Sequence, residues 1–116
     1  MNGSERQTSE ITALLIAPDR ALAQQLLETL PQSRAFQVAA DLKSYPPAAT
    51  LEMRVRQLRP HVVLLDLASD LGTALELIRS LSAIEPPVHV VGLHTANDSQ
   101  AILQSLRAGE IGRAHV

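Results

Sequence analysis

Short apolar runs alternate along this chain with segments in which apolar residues recur at helical spacing. The apolar runs are Ile11–Ala17, FQVAA from Phe36, His61–Leu67 and Val88–Leu93, and a segment of helical periodicity follows each of them. Strands this apolar have to be covered on both faces, and strand–helix–strand crossovers are right-handed. The alternation therefore predicts an α/β domain in which an open parallel sheet carries helices on both sides.

Each of the first three helical segments carries an apolar stripe that predicts the face packed on the sheet. The stripes are Leu22, Leu26, Leu27 and Leu30 in the first helix, Leu51, Val55 and Leu58 in the second, and Leu75, Ile78 and Leu81 in the third. Pro31 is expected to stop the first helix, because proline cannot continue one. A fourth helix is predicted over QAILQSLRA, capped by Asp98 or Ser99 and closed by Gly109.

Composition narrows the classes of function that the chain can have. The 116 residues include no cysteine, and their net charge is −2 with the two signs interspersed. Without a basic stripe the chain lacks the electrostatic footprint of a nucleic-acid binder, and no apolar run is long enough to cross a bilayer. We therefore expect one cytoplasmic domain over residues 11–109, preceded by a disordered polar tail over residues 1–10, that does not bind nucleic acid and does not span a membrane.

A single carboxylate, Asp66, lies inside the apolar stretch RPHVVLLDLASD. It ends the third predicted strand, beside the APDR sequence that follows the first strand, and ligands of open α/β sheets lie at this carboxyl edge. A charge at the end of a buried strand is costly unless it is paired. Two interpretations are open: Asp66 is a chemical centre, or it is a strand-end aspartate whose oxygens accept hydrogen bonds from loop amides.

The residues that follow Asp66 carry a resemblance to a known family. RPHVVLLDL followed by ALELIRSL, and PPVHVVGL followed by ILQSLRAG, resemble a bacterial response-regulator receiver domain, with a register free of gaps from Arg59 to Gly109. The resemblance implies a CheY-like (flavodoxin-like) doubly wound sheet with strand order 2-1-3-4. It also implies that Asp66 is the phosphoacceptor, which takes a phosphoryl group from a histidine kinase with the help of magnesium.

The sequence departs from the receiver pattern around that acid. Ala17 and Pro18 stand where receivers carry the acidic pair that holds magnesium. Asp19 falls one place further on, where it is expected to cap the first helix, and it would serve as a ligand beside Asp66 only in a shifted loop. Because a hard dication needs anionic oxygens to offset its dehydration, we expect weak magnesium binding and no conventional phosphotransfer.

Further departures follow along the same predicted rim. Gly92 replaces the Ser or Thr that binds the phosphoryl oxygen, Thr95 comes three residues late, and Asp70 replaces the loop proline. His94 lies near the end of the fourth strand and is expected to be an ordinary loop histidine. We therefore favour the strand-end interpretation of Asp66 and expect no enzyme activity and no cofactor, with magnesium only if Asp66 is phosphorylated.

The end of the chain departs from the family in another way. A receiver continues into a fifth strand with a catalytic lysine and then a fifth helix, whereas this chain reads EIGRAHV after Ala108 and Gly109. Residues 110–116 resemble a translated library adapter, so we expect them to be non-native and the receiver-like domain to lack its fifth strand and helix.

A narrower resemblance concerns the setting of the domain. A receiver without the acidic pair, with a short polar tail and the sequence HVVGLHTANDSQAILQSLRAG, is similar to the N-terminal domain of CpaE/TadZ-type proteins of Flp/Tad pilus assembly. That resemblance implies a MinD/ParA-like ATPase downstream and pilus-assembly proteins as partners. Two other hypotheses remain open: a phosphorelay receiver on Asp66 that controls a DNA-binding output domain, and a small-ligand-binding domain that uses the same rim.

Overall fold

The computed structural model describes residues 11–30, 36–85 and 87–94. Strands and helices alternate over these residues, as the sequence predicts. The elements are β1 (Ile11–Ile16), α1 (Arg20–Thr29), β2 (Phe36–Leu42), α2 (Ala48–Leu58), β3 (Val62–Asp66), α3 (Leu71–Ser82) and β4 (His89–Leu93). The fourth predicted helix, with its caps Asp98 or Ser99 and Gly109, lies outside the described residues.

The four strands form one parallel sheet in the order β2-β1-β3-β4. This order confirms the predicted α/β architecture, in which the chain starts at the centre of the sheet and winds outward in both directions. β3 lies between β1 and β4, and all five of its residues are buried. The central position of β3 brings its last residue, Asp66, to the same edge as the end of β1.

Alternate residues of each strand face opposite sides of the sheet, and this alternation makes two cores. Leu15 and Leu64 face the side covered by α1, where they pack in a cluster with Leu22 and Leu26. Ile16 and Leu65 face the side covered by α2 and α3, and the buried residues of those helices include Leu51, Val55, Leu77 and Leu81. Helices on both faces confirm the doubly wound arrangement.

The edge strand β2 carries one irregularity. Ala13 of β1 pairs with Val38, whereas the next residue, Leu14, pairs with Ala40, so the register skips Ala39. One extra residue in one strand of a pair is a β-bulge, which bends the strand and increases its twist. β2 is also two residues longer than its predicted core FQVAA, since Asp41 and Leu42 continue the pairing with β1.

The inward face of α3 differs from the prediction. Leu75 is 43% exposed and Ile78 is only partly buried, whereas Ala74 and Leu77 are buried beside Leu81. Apolar residues lie on more than one side of this helix, so two overlapping stripes fit the helical period. The buried stripe is the one that includes the small Ala74, which lets α3 approach the sheet closely.

Among the described residues, none of the helices combines the length and the apolar character needed to span a lipid bilayer.

Candidate functional site

Asp66 lies where the sequence places it, at the carboxyl end of β3 and beside the end of β1. The backbone N–H of Asp19, in the turn after β1, donates a hydrogen bond of 3.1 Å to Asp66 Oδ2. The side chain of Asp66 is nonetheless fully buried, with no exposed surface. A buried carboxylate needs several hydrogen bonds to compensate for lost hydration, and the loop after β3 supplies them.

That loop turns back so that its donors face the carboxylate. Asp66 Oδ1 accepts hydrogen bonds from the backbone N–H of Ala68 at 2.8 Å and of Ser69 at 3.2 Å. The hydroxyl of Ser69 donates to Asp66 Oδ2 at 2.6 Å. An aspartate that binds backbone N–H groups two and three residues ahead is a common device for fixing a turn. With the bond from Asp19, four donors from the chain itself surround this carboxylate.

These bonds set the ionisation of Asp66. Burial taken alone would raise the pKa of Asp66, because it disfavours the charged form. The hydrogen bonds from Ser69, Asp19 and Ala68 favour the carboxylate and outweigh that effect, so the pKa of Asp66 lies below its usual value. Asp66 is therefore an anion at neutral pH whose charge is stabilised by the fold.

Tyr45, in the loop before α2, makes hydrogen bonds to the loop between β3 and α3. Its hydroxyl donates to the backbone carbonyl of Asp66 at 2.6 Å and accepts a hydrogen bond from the backbone N–H of Asp70 at 3.3 Å. Burial is the largest influence on the hydroxyl and raises the pKa of Tyr45. One phenol thus connects both ends of the turn between β3 and α3 and holds it in a single conformation.

The two other acids of the predicted rim serve as helix caps. Asp19 Oδ1 accepts hydrogen bonds from the backbone N–H groups of Ala21 and Leu22, as expected for the N-cap of α1. Asp70 is the N-cap of α3, and the backbone N–H and hydroxyl of Thr73 both donate to its carboxylate. Those bonds from Thr73 lower the pKa of Asp70. Both rim acids are therefore engaged in ending loops and starting helices.

At the end of β4, Gly92 leaves a space that Leu67 fills. A Cβ atom built on Gly92 would lie 2.5 Å from Cδ1 and 3.0 Å from Cγ of Leu67, closer than atoms pack. Leu67 is buried and directly follows Asp66. The position at which the receiver pattern has a hydroxyl is thus covered by a hydrocarbon side chain. His94 follows β4 and is exposed, and Thr95 lies outside the described residues.

The described residues do not fit a magnesium site. Ala17 is buried, and its carbonyl accepts a hydrogen bond from Arg20 at 2.9 Å. The guanidinium of Arg20 also forms a two-pronged ion pair with Asp41. Over the ranges that the structure describes, no three histidine or acidic side chains are grouped as metal ligands would be. Of the candidate ligands, both oxygens of Asp66 and Oδ1 of Asp19 accept hydrogen bonds from donors of the chain.

Sequence reasoning did not single out Ser69 or Tyr45. Ser69 lies three residues after Asp66, the spacing at which a side-chain hydroxyl turns back to a carboxylate. Tyr45 is one of only two aromatic residues in the chain, and it lies in a loop rather than in a core strand. An isolated aromatic in a Pro-rich loop was the signal that could have identified it.

A doubly wound parallel sheet of this order is shared by flavodoxin-like folds, and an acid at the end of β3 is a feature of the receiver pattern among them. The isolated REC domain of RcsB from Salmonella enterica serovar Typhimurium, studied with the phosphomimetic BeF3−, matches with a TM-score of 0.60 and 16% identity over 84% of this chain and 72% of that chain. The RcsB response regulator of Salmonella typhimurium, in a structure concerned with DNA interaction, matches with a TM-score of 0.60 and 18% identity. The match covers 86% of this chain and 48% of that chain. The receiver domain of the NarL response regulator from Mycobacterium tuberculosis matches with a TM-score of 0.53 and 13% identity. The match covers 85% of this chain and 98% of that chain.

No family model and no curated protein matches the sequence. The solved structures share less than a fifth of their residues with this chain, so they establish its fold. This chain spans about half the length of the longer RcsB chain, at 48%. The protein has the receiver fold of response regulators, and its role has to be argued from its own side chains.

Proposed function

We propose that this domain is a receiver-fold signalling module that works through protein contacts and not through conventional phosphorylation of Asp66. The observation that carries the proposal is the set of four donors on the Asp66 carboxylate. In phosphoryl transfer one of these oxygens would have to attack phosphorus, and its lone pairs would first have to give up the hydrogen bonds that compensate for the burial of Asp66.

Two further features support the same conclusion. The charge that develops on a transferring phosphoryl group has to be stabilised by cations or preorganised donors. Here Asp19 caps a helix instead of offering a metal ligand, and Leu67 covers Gly92 where a hydroxyl would receive a phosphoryl oxygen. The module has lost the groups that catalyse the transfer while it keeps the fold that presents a surface.

For the setting we propose the one that the sequence resemblance implies. The domain precedes a MinD/ParA-like ATPase of the CpaE/TadZ type, acts in the cytoplasm and has pilus-assembly proteins as partners. Support for this setting comes from the sequence HVVGLHTANDSQAILQSLRAG and from Ala17 and Pro18 at the place of the acidic pair. The gene sequence downstream tests it, since an ATPase with a phosphate-binding loop is expected there and a helix-turn-helix domain would contradict it.

A phosphorelay receiver is the second candidate, and one observation favours it. Asp66 ends the central strand β3 beside the turn after β1, which is the placement the receiver pattern gives to its phosphoacceptor. On this alternative a histidine kinase phosphorylates Asp66 with magnesium bound, and the domain controls a DNA-binding output domain.

Mass spectrometry of the full-length protein separates the two candidates. The protein is incubated with acetyl phosphate and magnesium, so that attack by an Asp66 oxygen would form an acyl phosphate and release acetate. We expect no mass gain. An acid-stable, base-labile gain that disappears in Asp66→Asn and persists in the matched variant Asp70→Asn would overturn the proposal in favour of the phosphorelay.

A further inference from the structure

A cavity lies at the amino ends of the strands, at the edge of the sheet opposite Asp66. The last turn of α2, the residues that lead into β3 and the segment between α3 and β4 line this cavity, which has a volume of about 420 Å³ and is partly open to solvent. Its volume falls in the range of about 300–1,000 Å³ that is typical of small-molecule sites. The cavity is therefore large enough for a ligand and is separate from the candidate site already described.

The interior of this cavity is hydrocarbon. Val55, Pro60 and Ile84 are buried residues that line it, and the partly buried Val88 completes the apolar surface. An apolar body of matching size would remove this surface from water, which is the main source of affinity in such sites.

The rim of the cavity carries an excess of positive charge. Arg56, Arg59 and Glu85 line it and are exposed. In the part of the chain that the structure describes, no hydrogen bond or ion pair engages the guanidinium of Arg56 or Arg59. A free guanidinium offers paired N–H donors whose geometry matches a carboxylate.

The backbone holds one of these arginines firmly in place. Arg59 ends α2 in the left-handed conformation, with φ of 50°, and is the one described residue other than glycine with positive φ. Its N–H donates to the carbonyl of Val55 at 2.8 Å, and the ring of Pro60 restricts the backbone of Arg59, which precedes it. A guanidinium mounted on a fixed backbone loses less freedom on binding than one on a mobile loop.

We propose that this cavity binds a small amphipathic carboxylate, with its apolar body against Val55, Ile84 and Val88 and its carboxylate at Arg56 and Arg59. The negative end of the α2 dipole would repel an anion placed at the last carbonyls of the helix. The two guanidinium groups offset that repulsion, and so the head group is held at the rim rather than deep in the cavity. Nothing in this assignment depends on the state of Asp66.

Octanoate is a suitable probe, because it combines a short apolar chain with one carboxylate. Binding to the full chain is followed by calorimetry, and the change of backbone amide signals locates the site. We expect saturable binding that shifts the amide signals of the lining residues that have an N–H, which are Val55, Arg56, Arg59, Ile84, Glu85 and Val88. Octanol, which lacks the charge, and acetate, which lacks the apolar body, are expected to bind more weakly.

Three variants with substitutions of exposed side chains test the proposal, since one is expected to weaken binding, one to strengthen it and one to leave it unchanged. The double variant Arg56→Gln/Arg59→Gln is expected to weaken octanoate binding by about tenfold, and Glu85→Gln is expected to strengthen it, since a repulsive charge is removed. Arg54→Gln is the matched control, because Arg54 is an exposed arginine of α2 that does not line the cavity. Octanoate that fails to bind, or that binds the double variant as well as the parent, would overturn the proposal. So would an equal loss in Arg54→Gln.

Discussion

The two ends of the strands in this parallel sheet, the carboxyl edge and the amino edge, are built in opposite ways. At the carboxyl edge the polar side chains of Asp66, Asp19 and Asp70 are bonded to amides and hydroxyls of the chain itself. At the amino edge a cavity with an apolar interior opens beside Arg56 and Arg59, whose guanidinium groups extend into solvent. Folds of this kind usually receive ligands at the carboxyl edge, whereas the site that we propose lies at the amino edge, so it is argued from the side chains there and not from position in the fold.

The largest effect is expected from a substitution of Asp66, at the centre of the carboxyl edge of the sheet. Asp66→Ala removes the acceptor of four hydrogen bonds to a charged group, so we expect the free energy of unfolding to fall by about 3 kcal/mol, measured by urea denaturation. Asp70→Ala is the control, and its loss should be smaller because the Asp70 bonds are exposed to water. Equal losses in the two variants would mean that the bonds to Asp66 do not stabilise this edge.

A substitution that adds a side chain at Gly92 tests how tightly the residues at the carboxyl edge of the sheet are packed. Gly92→Ser places a Cβ atom against Leu67, and we expect a loss of about 2 kcal/mol in the free energy of unfolding. The double variant Gly92→Ser/Leu67→Ala removes the clashing methyl groups. A double-mutant cycle from thermal melts should show that each substitution costs less in the presence of the other. Simple additivity of the two losses would argue against contact between these positions.

The smallest effect concerns the hydroxyl of Tyr45. Tyr45→Phe keeps the ring and loses the bonds to the Asp66 carbonyl and the Asp70 amide, so we expect a loss of about 1 kcal/mol in stability. Hydrogen exchange of the Asp70 amide should become faster, whereas amides at the centre of β1, such as Leu15, should keep their protection. Unchanged exchange at Asp70 would show that the turn is fixed without the phenol.

The sequence predicts the architecture well, because the signals that specify it are strong. Val62 to Leu65 form an unbroken run of β-branched and other apolar residues that is typical of a strand covered on both faces, and this run placed Asp66 at the carboxyl edge. The N-cap role of Asp19 was also predictable, since an aspartate before a helical stripe is a strong start signal.

Other features depend on tertiary structure that a sequence pattern does not contain. Leu75 was predicted to face inward, yet the α3 stripe that packs on the sheet runs through Ala74 and Leu77. The hydroxyl of Tyr45 meets Asp66 across 21 positions of the chain, and only the completed fold brings them together. What Asp66 does chemically stays a prediction, for which the mass measurement above is the test.

The bulge at Ala39 affects how this sheet meets other molecules. β2 lies at one edge of the described sheet, and the outer edge of a strand offers unpaired N–H and C=O groups to any extended chain in solution. A residue that falls out of register twists that edge and interrupts the even spacing of those groups. A neighbouring strand would have to shift its register at this point, as β1 does, so β2 is a poorer template for edge-to-edge aggregation than an evenly spaced strand.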